Sequence, residues 1–331
     1  MAKRAKVTVS LLTWNGAEYL PWLLKSLKEQ SFPNWELLVL DNASTDQSVA
    51  VVLEYYPQAR IIRQKKNVGF AKGHNLLIGW SNSNYILLLN QDIILEPDYL
   101  EKTVNFLEKN SQVAAVAGKT MYWDFKEEGK TSIIDSFGLK INRQRQVIDA
   151  HQGQKDFEFS DKEVFGLSAA VVLLRRESLE SIKIPRSHDY FEYLDEDFFA
   201  YKEDIDLAWR LRLFGWENWL ITNTRAYHHR SVASAQNIRE SRKTRQTANR
   251  LSYRNHFITL YKNSFVTNIL RDFWPILWYE SRKFFYFLLF ERSTLAGCGE
   301  FIKNLPKMRA KRKLIKKNRQ IKASEVRQWF K

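Results

Sequence analysis

Two oxygen-bearing side chains stand one residue apart in Asn90-Gln91-Asp92, directly after the apolar run Tyr85-Ile86-Leu87-Leu88-Leu89. Such a run reads as a strand buried on both faces. In an open α/β sheet the carboxyl ends of strands are where ligands bind. A carboxylate beside an amide oxygen suits a hard divalent cation, Mg²⁺ or Mn²⁺, there. Asn and Asp also end strands in plain Asx-turns, so the pair gains meaning only from its neighbours. Those are Thr13 and Asn15 after the run Val7–Leu12, and Asp41 and Asn42 after Trp35–Leu40. A carboxylate at a strand end can accept from a base N–H or a sugar hydroxyl, although Asp41 and Asn42 can equally cap a helix.

Further along, Asn67-x-Gly69-Phe70-x-x-Gly73-x-Asn75 opens a helix. Its glycine spacing is not that of a dinucleotide-binding loop, but Gly69 and Gly73 can let backbone approach a ligand closely. Glu203-Asp204 starts another helix, after the acidic and aromatic stretch Asp189–Ala200 that holds Asp195 and Asp197. First-turn acids are favoured by the helix dipole alone. Behind a wall of acids and aromatics, the pair could instead serve as general base toward a sugar hydroxyl. The dipole is then expected to lower the pKa of that base. His228-His229 follows a strand, and either ring could complete a metal shell begun by Asp92. No Cys/His zinc spacing is present.

These groups must be held by a scaffold, and hydrophobic periodicity supplies one. Strands at 7–12, 35–40, 60–64, 85–90 and 113–118 alternate with helices carrying Leu20/Leu23/Leu24/Leu27, Val49/Val52/Leu53/Tyr56, Leu76/Leu77/Trp80 and a segment over 97–110. Ser44 and Gln47 have the spacing of a capping box. Alternation of this kind predicts βαβ units in a doubly wound, mostly parallel sheet flanked by helices. Strand ends in a parallel sheet face one way, so the polar groups after each strand are expected to share a crevice. Residues 119 to about 160 show no clear pattern. A strand is expected over 165–174, a helix through Leu207, Ala208, Leu211 and Phe214 stopped by Gly215, and a short strand over 219–223.

Composition adds bounds. The chain has 331 residues, 44% of them apolar, enough for a full core. The lone Cys298 excludes an internal disulfide and suits a reducing compartment. Thr8, Ser10 and Asn15 interrupt what would be a signal segment after the basic start, so secretion is not expected. The formal charge of +15 is uneven: residues 1–235 carry 29 Lys+Arg and 31 Asp+Glu, and residues 236–331 carry 23 and 6. The chain is therefore expected to divide into 1–235 and a helical, basic and aromatic region, 236–331. That region holds Trp274–Tyr279 and Phe284–Phe290, too broken by charge to span a bilayer. A solvated helix explains its charge but not its aromatics. Nucleic acid would suit the charge, and a membrane surface suits both. Membrane is the expected partner, and no nucleic acid is expected.

In order over residues 7–235, these pieces resemble the family 2 glycosyltransferases of GT-A fold, particularly the bacterial rhamnosyltransferase-like branch. The pieces are Thr13-Trp14-Asn15, Asp41-Asn42-x-Ser44-x-Asp46, the Asn67–Asn75 motif, Asn90-x-Asp92, Phe199-x-Tyr201-x-Glu203-Asp204-x-Asp206-Leu207-x-x-Arg210, and a histidine before Ser234. The resemblance implies a nucleotide-diphosphate-sugar donor, its nucleoside held by Thr13, Asn15, Asp41 and Asn42. Asn67, Gly69, Gly73, Asn75 and Asn90 would lie against the diphosphate-sugar. Asp92 would bind the metal, with Asn where the family's first acid stands, and His229 looks better placed than His228 as the late ligand. Asp204 would be the catalytic base, supported by Glu203, with Asp195, Asp197 and Tyr201 lining the acceptor pocket. An inverting transfer to a glycan or lipid-linked hydroxyl is then expected, rhamnose being one possible sugar, by a protein peripheral to the cytoplasmic face of the plasma membrane in cell-surface polysaccharide synthesis. A nucleotidyltransferase would need a Gly-rich loop bearing Lys or Arg after the first strand, and Thr13-Trp14-Asn15-Gly16 lacks one.

Overall fold

The computed structural model describes residues 4–124, 127, 129–229 and 238–331. The expected boundary at 235/236, Ser234, and the first three residues of the basic start lie outside them. The chain begins β1 (Val7–Thr13), α1 (Leu20–Lys28), β2 (Trp35–Asp41), α2 (Ser48–Tyr55), β3 (Arg60–Arg63), α3 (Phe70–Trp80) and β4 (Tyr85–Asn90). It continues β5 (Ile93–Leu95), α4 (Tyr99–Lys109), β6 (Val113–Asp124), β7 (Gly129–Ser136), β8 (Leu139–Ile141), β9 (Val147–Asp149), β10 (Lys162–Glu163) and β11 (Val171–Arg175). Then come α5 (Arg176–Ile182), β12 (Ile184–Pro185), β13 (Phe191–Glu192), α6 (Glu203–Leu213) and β14 (Glu217–His228). Five helices close the chain: α7 (Ile238–Asn263), α8 (Val266–Arg271), α9 (Phe273–Phe290), α10 (Ala296–Asn318) and α11 (Ala323–Arg327).

The main sheet has the order β10-β14-β6-β11-β4-β1-β2-β3, with β5 beside β14 and β7 beside β6. β1 to β4 are mutually parallel, β6 and β14 run the same way, and β11 between β4 and β6 runs against them. This is the doubly wound, mostly parallel sheet flanked by helices that the alternation predicts. β1 shows why it forms. Val7, Val9 and Leu11 point into one apolar layer, beneath Leu20, Leu23, Leu24 and Leu27 of α1. Ser10 turns to the other face and meets buried His74 at 2.8 Å, a ring that burial keeps uncharged, with its pKa pushed down to about 3.

Four expectations about elements change. Ser44 and Gln47 form no capping box: Ser44 Oγ accepts from Asn15 N, and Asp46 Oδ1 receives Ser48 N at 3.0 Å where α2 begins. The unpatterned 119–160 stretch is built of the end of β6, then β7, β8 and β9, whose antiparallel pairing is too short to show as periodicity. The strand over 165–174 shrinks to Val171–Arg175, because Gly166 lies against Ala208 in buried irregular backbone. The strand over 219–223 grows to Glu217–His228, with a register shift against β6 between Ile221 and Arg225.

The last helices fold back on the sheet domain through buried ion pairs. Lys311 of α10 reaches Glu192 and Asp195 at 2.5 Å and Asp197 at 2.9 Å. Lys262 of α7 meets Asp195, and also Asp206 at 2.9 Å. Asp272, fully buried, is gripped by Arg143, Arg145 and Arg327 at 2.8 to 3.0 Å, which holds its carboxyl well below the usual range against the opposing effect of desolvation. No helix among the described residues is long and apolar enough to cross a membrane.

Candidate active site

The carboxyl ends of β4, β1 and β2 finish in one row, since Asn90 pairs with Leu12 and Thr13 with Asp41. At the spacing of adjacent strands, Asn90 and Asp41 stand about 10 Å apart across Thr13. Gln91 closes this edge: its amide oxygen accepts from Thr13 Oγ1 and Trp14 N, both at 2.8 Å. Asn15, in left-handed conformation, accepts Thr45 N at 2.8 Å. Asp41 is buried and accepts Ser44 N at 3.0 Å, with Arg63 3.7 Å from its other oxygen. Asn42 and Asn67 lock the next loop: Asn42 donates to Asn67 Oδ1 at 2.9 Å and accepts from Val68 N at 2.7 Å.

Asp92 follows where the chain turns from β4 into β5, and β14 pairs His228 with Ile93. His228 Nε2 faces Asp92 Oδ2 at 3.5 Å, and its Nδ1 donates to Asp135 Oδ2 at 2.8 Å. Burial alone would push this imidazole down, but the hydrogen bonds to Asp135 and Asp92 lift it to about 9. Without a bound metal it therefore sits as a cation between two carboxylates at neutral pH, and a divalent ion taking Nε2 as donor would displace that proton. Adjacent strand residues face opposite sides, and His229 turns its ring to Tyr19 at 5.3 Å while its backbone N–H donates to Asp92 O. The structure thus sets the ring of His228 against the Asp92 carboxylate. An oxygen and an imidazole nitrogen at that separation, the latter with its far nitrogen fixed by a carboxylate, form a suitable donor pair for Mg²⁺ or Mn²⁺. Among the described residues no group of three or more His, Cys, Asp or Glu side chains makes a metal cage.

Asp204 reaches the same edge from α6. Asn90 N donates to Ala170 O at 2.9 Å, and the backbone of the neighbouring Ala169 hydrogen-bonds the Asp204 carboxylate. One dipeptide thus joins the base candidate to the strand that ends at Asn90. Desolvation raises Asp204 to about 6, with the nearby Asp149 adding to it and the backbone N–H of Ile205 and the charge of Lys202 opposing. The expectation of a lowered pKa is therefore reversed, because burial outweighs the helix dipole. Glu203 is buried deeper, has an oxygen without a hydrogen-bond partner, and is pushed up to about 8 by desolvation and by Asp204. It is neutral at pH 7. Phe199, Tyr201 and Lys202, in the loop before this pair, all have positive φ without being glycine, a clustering of strain typical of functional loops.

Several expected ligand residues also make contacts within the chain. Gly69 has φ +85, and a Cβ there would come within 2.5 Å of Phe199 O. Its close approach is thus to the chain's own loop, whose Phe199 O receives Phe70 N at 2.6 Å. Gly73 lies against Leu12 and lets α3 settle on β1. Asn75 is buried, donates to Leu194 O at 2.8 Å and accepts from Tyr193 and Leu194 N. Asp195 and Asp197 are engaged by Lys262, Lys311 and Arg186. Tyr201 stays more than a third exposed beside the base. Asp135 and Asp149 were missed, although each closes a short apolar run (Ile133-Ile134 and Val147-Ile148), the same pattern as Asp41.

A mostly parallel sheet with a carboxylate and histidine at one strand end, and a raised-pKa aspartate across the next strand, defines a GT-A-type transferase fold. The model of Glycosyl transferase family 2 matches residues 8–182, more than half of the chain, and the chain belongs to that family. An uncharacterized glycosyltransferase of Haemophilus influenzae is 29% identical over 133 residues, 39% of this chain and 40% of its own length. The chain thus spans less than half of that relative. Among solved structures, S. aureus TarS 1-349 superposes with TM-score 0.55 at 16% identity, covering 98% of this chain and 89% of its own. GalNAc-T7 with UDP, GalNAc and Mn²⁺ superposes with TM-score 0.60 at 9% identity, covering 79% and 48%.

Proposed function

We propose that this glycosyltransferase moves a sugar from a nucleotide-diphosphate donor to an acceptor hydroxyl with inversion, Asp204 acting as the base. The observation that carries the reading is the link from Asp204 through Ala169 and Ala170 to Asn90, on the edge where Asp92 and His228 meet. Thr13, Asn15, Asp41 and Asn90 lie where a nucleoside and diphosphate would rest. Asp92 and His228 are the residues that would hold a divalent cation, and Asp135 holds the His228 ring in the orientation this requires. When bound, the cation supplies charge to offset that developing on the departing diphosphate. Asp204, near pKa 6, is mostly ionised at pH 7 and still basic enough to take the acceptor proton. The proton leaves the hydroxyl as its oxygen attacks the anomeric carbon from the face opposite the nucleotide, which departs with the bonding pair, in parallel with inverting hydrolysis. Neutral Glu203 adds no second negative charge beside the base. The acceptor is a glycan or lipid-linked hydroxyl in cell-surface polysaccharide synthesis, and dTDP-rhamnose and UDP-sugars are the first donors to test.

The test is a thermal-shift screen of nucleotide-sugars with and without Mn²⁺, followed by assay of Asp204→Asn with the best donor. The variant is expected to keep the donor-induced shift and lose transfer. Wild-type turnover by Asp204→Asn refutes the base assignment, and no Mn²⁺-dependent shift with any donor refutes the donor site.

A further inference from the structure

Helix α9 is polarised opposite to a helix that lives in water. None of its 18 residues is buried. Two of its three charged side chains turn toward the protein: Glu280 accepts from His256 Nε2 at 2.7 Å, and Lys283 stands 4.9 and 5.0 Å from the ring centres of Tyr253 and Tyr279, while Arg282 is exposed. The outward side carries Trp274 (75% exposed), Trp278 (63%), Phe285 (59%), Leu289 (68%) and Phe290 (74%), and α8 adds Val266 and Leu270. A solvated amphipathic helix places its charges outward and its aromatics inward, and so many large apolar side chains exposed along one helix, with a single arginine among them, mark a contact with something apolar.

Three observations say what covers it. Eighteen residues make a helix about 27 Å long, but no described helix is apolar enough to cross a bilayer. The region from 236 on carries a net +17, from 23 Lys+Arg against 6 Asp+Glu. On α10 the residues Lys303, Lys307, Arg309, Lys313, Lys316 and Lys317 are exposed. A second copy of the chain could cover the aromatics only by bringing two such basic regions together, which like-charge repulsion disfavours. An anionic lipid surface accepts both features, with Trp and Phe among the headgroups and acyl ends and Lys and Arg at the phosphates. The helix is also rigidly held for such a contact. Asp272 at its start is locked by three arginines, and Glu291 just after its end accepts both hydrogen bonds of Asn249, at 2.8 and 3.0 Å.

We infer that α8 and α9 form a monotopic membrane-docking surface, lying in the headgroup region of an anionic bilayer with the exposed cations of α10 against its phosphates. The inference stands apart from the donor and base assignments. The full chain is tested by co-sedimentation with vesicles of phosphatidylcholine alone or mixed with phosphatidylglycerol, and by tryptophan quenching from brominated lipids. Wild type is expected to bind the mixed vesicles, to bind neutral ones more weakly, and to be quenched. The triple variant Trp278→Ser, Leu289→Ser, Phe290→Ser is expected to lose at least about tenfold in partitioning. These side chains are exposed, so its thermal midpoint should stay at the wild-type value. Lys313→Glu with Lys316→Glu and Lys317→Glu should lose the preference for phosphatidylglycerol. Wild-type chain that ignores both vesicles, or a triple variant that binds as wild type does, overturns the inference. So does a dimer that the triple variant dissociates without vesicle binding by either form, which would assign the face to a second copy.

Discussion

The position of Asp204 sets a specific pH dependence for transfer. With a pKa of about 6, the carboxylate is roughly nine-tenths ionised at pH 7 and roughly one-tenth at pH 5. A base that must be ionised to accept the proton therefore loses about tenfold in kcat/KM between those values. An aspartate at its ordinary value of 3.8 would stay more than about nine-tenths ionised at pH 5, and the rate would barely change. The two cases differ by nearly the whole effect, so modest data separate them. The assay is nucleotide release at saturating donor with varied acceptor from pH 5 to 8, circular dichroism confirming the fold at each pH. Asp149→Asn sharpens the test, because it removes a neighbouring charge that raises Asp204. Its acid limb should move to lower pH while the plateau persists. A wild-type plateau that extends to pH 5 would refute the burial argument, and an unmoved limb in Asp149→Asn would refute the coupling.

Glu203 and Lys311 give two stability predictions. The folded pKa of Glu203 is raised from 4.5 to about 8, so the folded state binds the extra proton between those values and stability falls as pH rises through them. Glu203→Gln removes that penalty and should match wild type near pH 5 and exceed it near pH 8.5 by on the order of 2–4 kcal/mol in urea unfolding; equal stability at both pH values contradicts the assignment. Lys311→Met leaves Glu192, Asp195 and Asp197 without their shared cation and should cost about 3–5 kcal/mol at pH 7, whereas a loss under about 1 kcal/mol means the cluster relaxes into water.

How much of this the amino-acid order discloses depends on how local each cause is. The row of Thr13, Asp41 and Asn90 is legible because each is the first polar residue after its own apolar run, and a parallel sheet brings such residues to one edge without further information. The choice between His228 and His229 is not, since both follow the same strand and only the pairing of β14 with β5 sets which parity faces Asp92. The acids around 190–206 are alike in sequence and unlike in space. Asp195 is held low by Lys262 and Lys311, cations 67 and 116 positions away, while Asp204, which Lys202 only partly offsets, is raised by burial. A cation far along the chain decides which carboxylate is structural and which is left for chemistry. The same fact qualifies the +17 of the last region. Lys262 and Lys311 face inward as counterions, and Arg143, Arg145 and Arg327 converge on Asp272. Only cations such as Lys313, Lys316 and Lys317 remain outward to meet a partner. Composition counts both kinds equally. In the folded chain the inward ones fasten the C-terminal helices to the segment from Glu192 to Asp206 that holds Glu203 and Asp204.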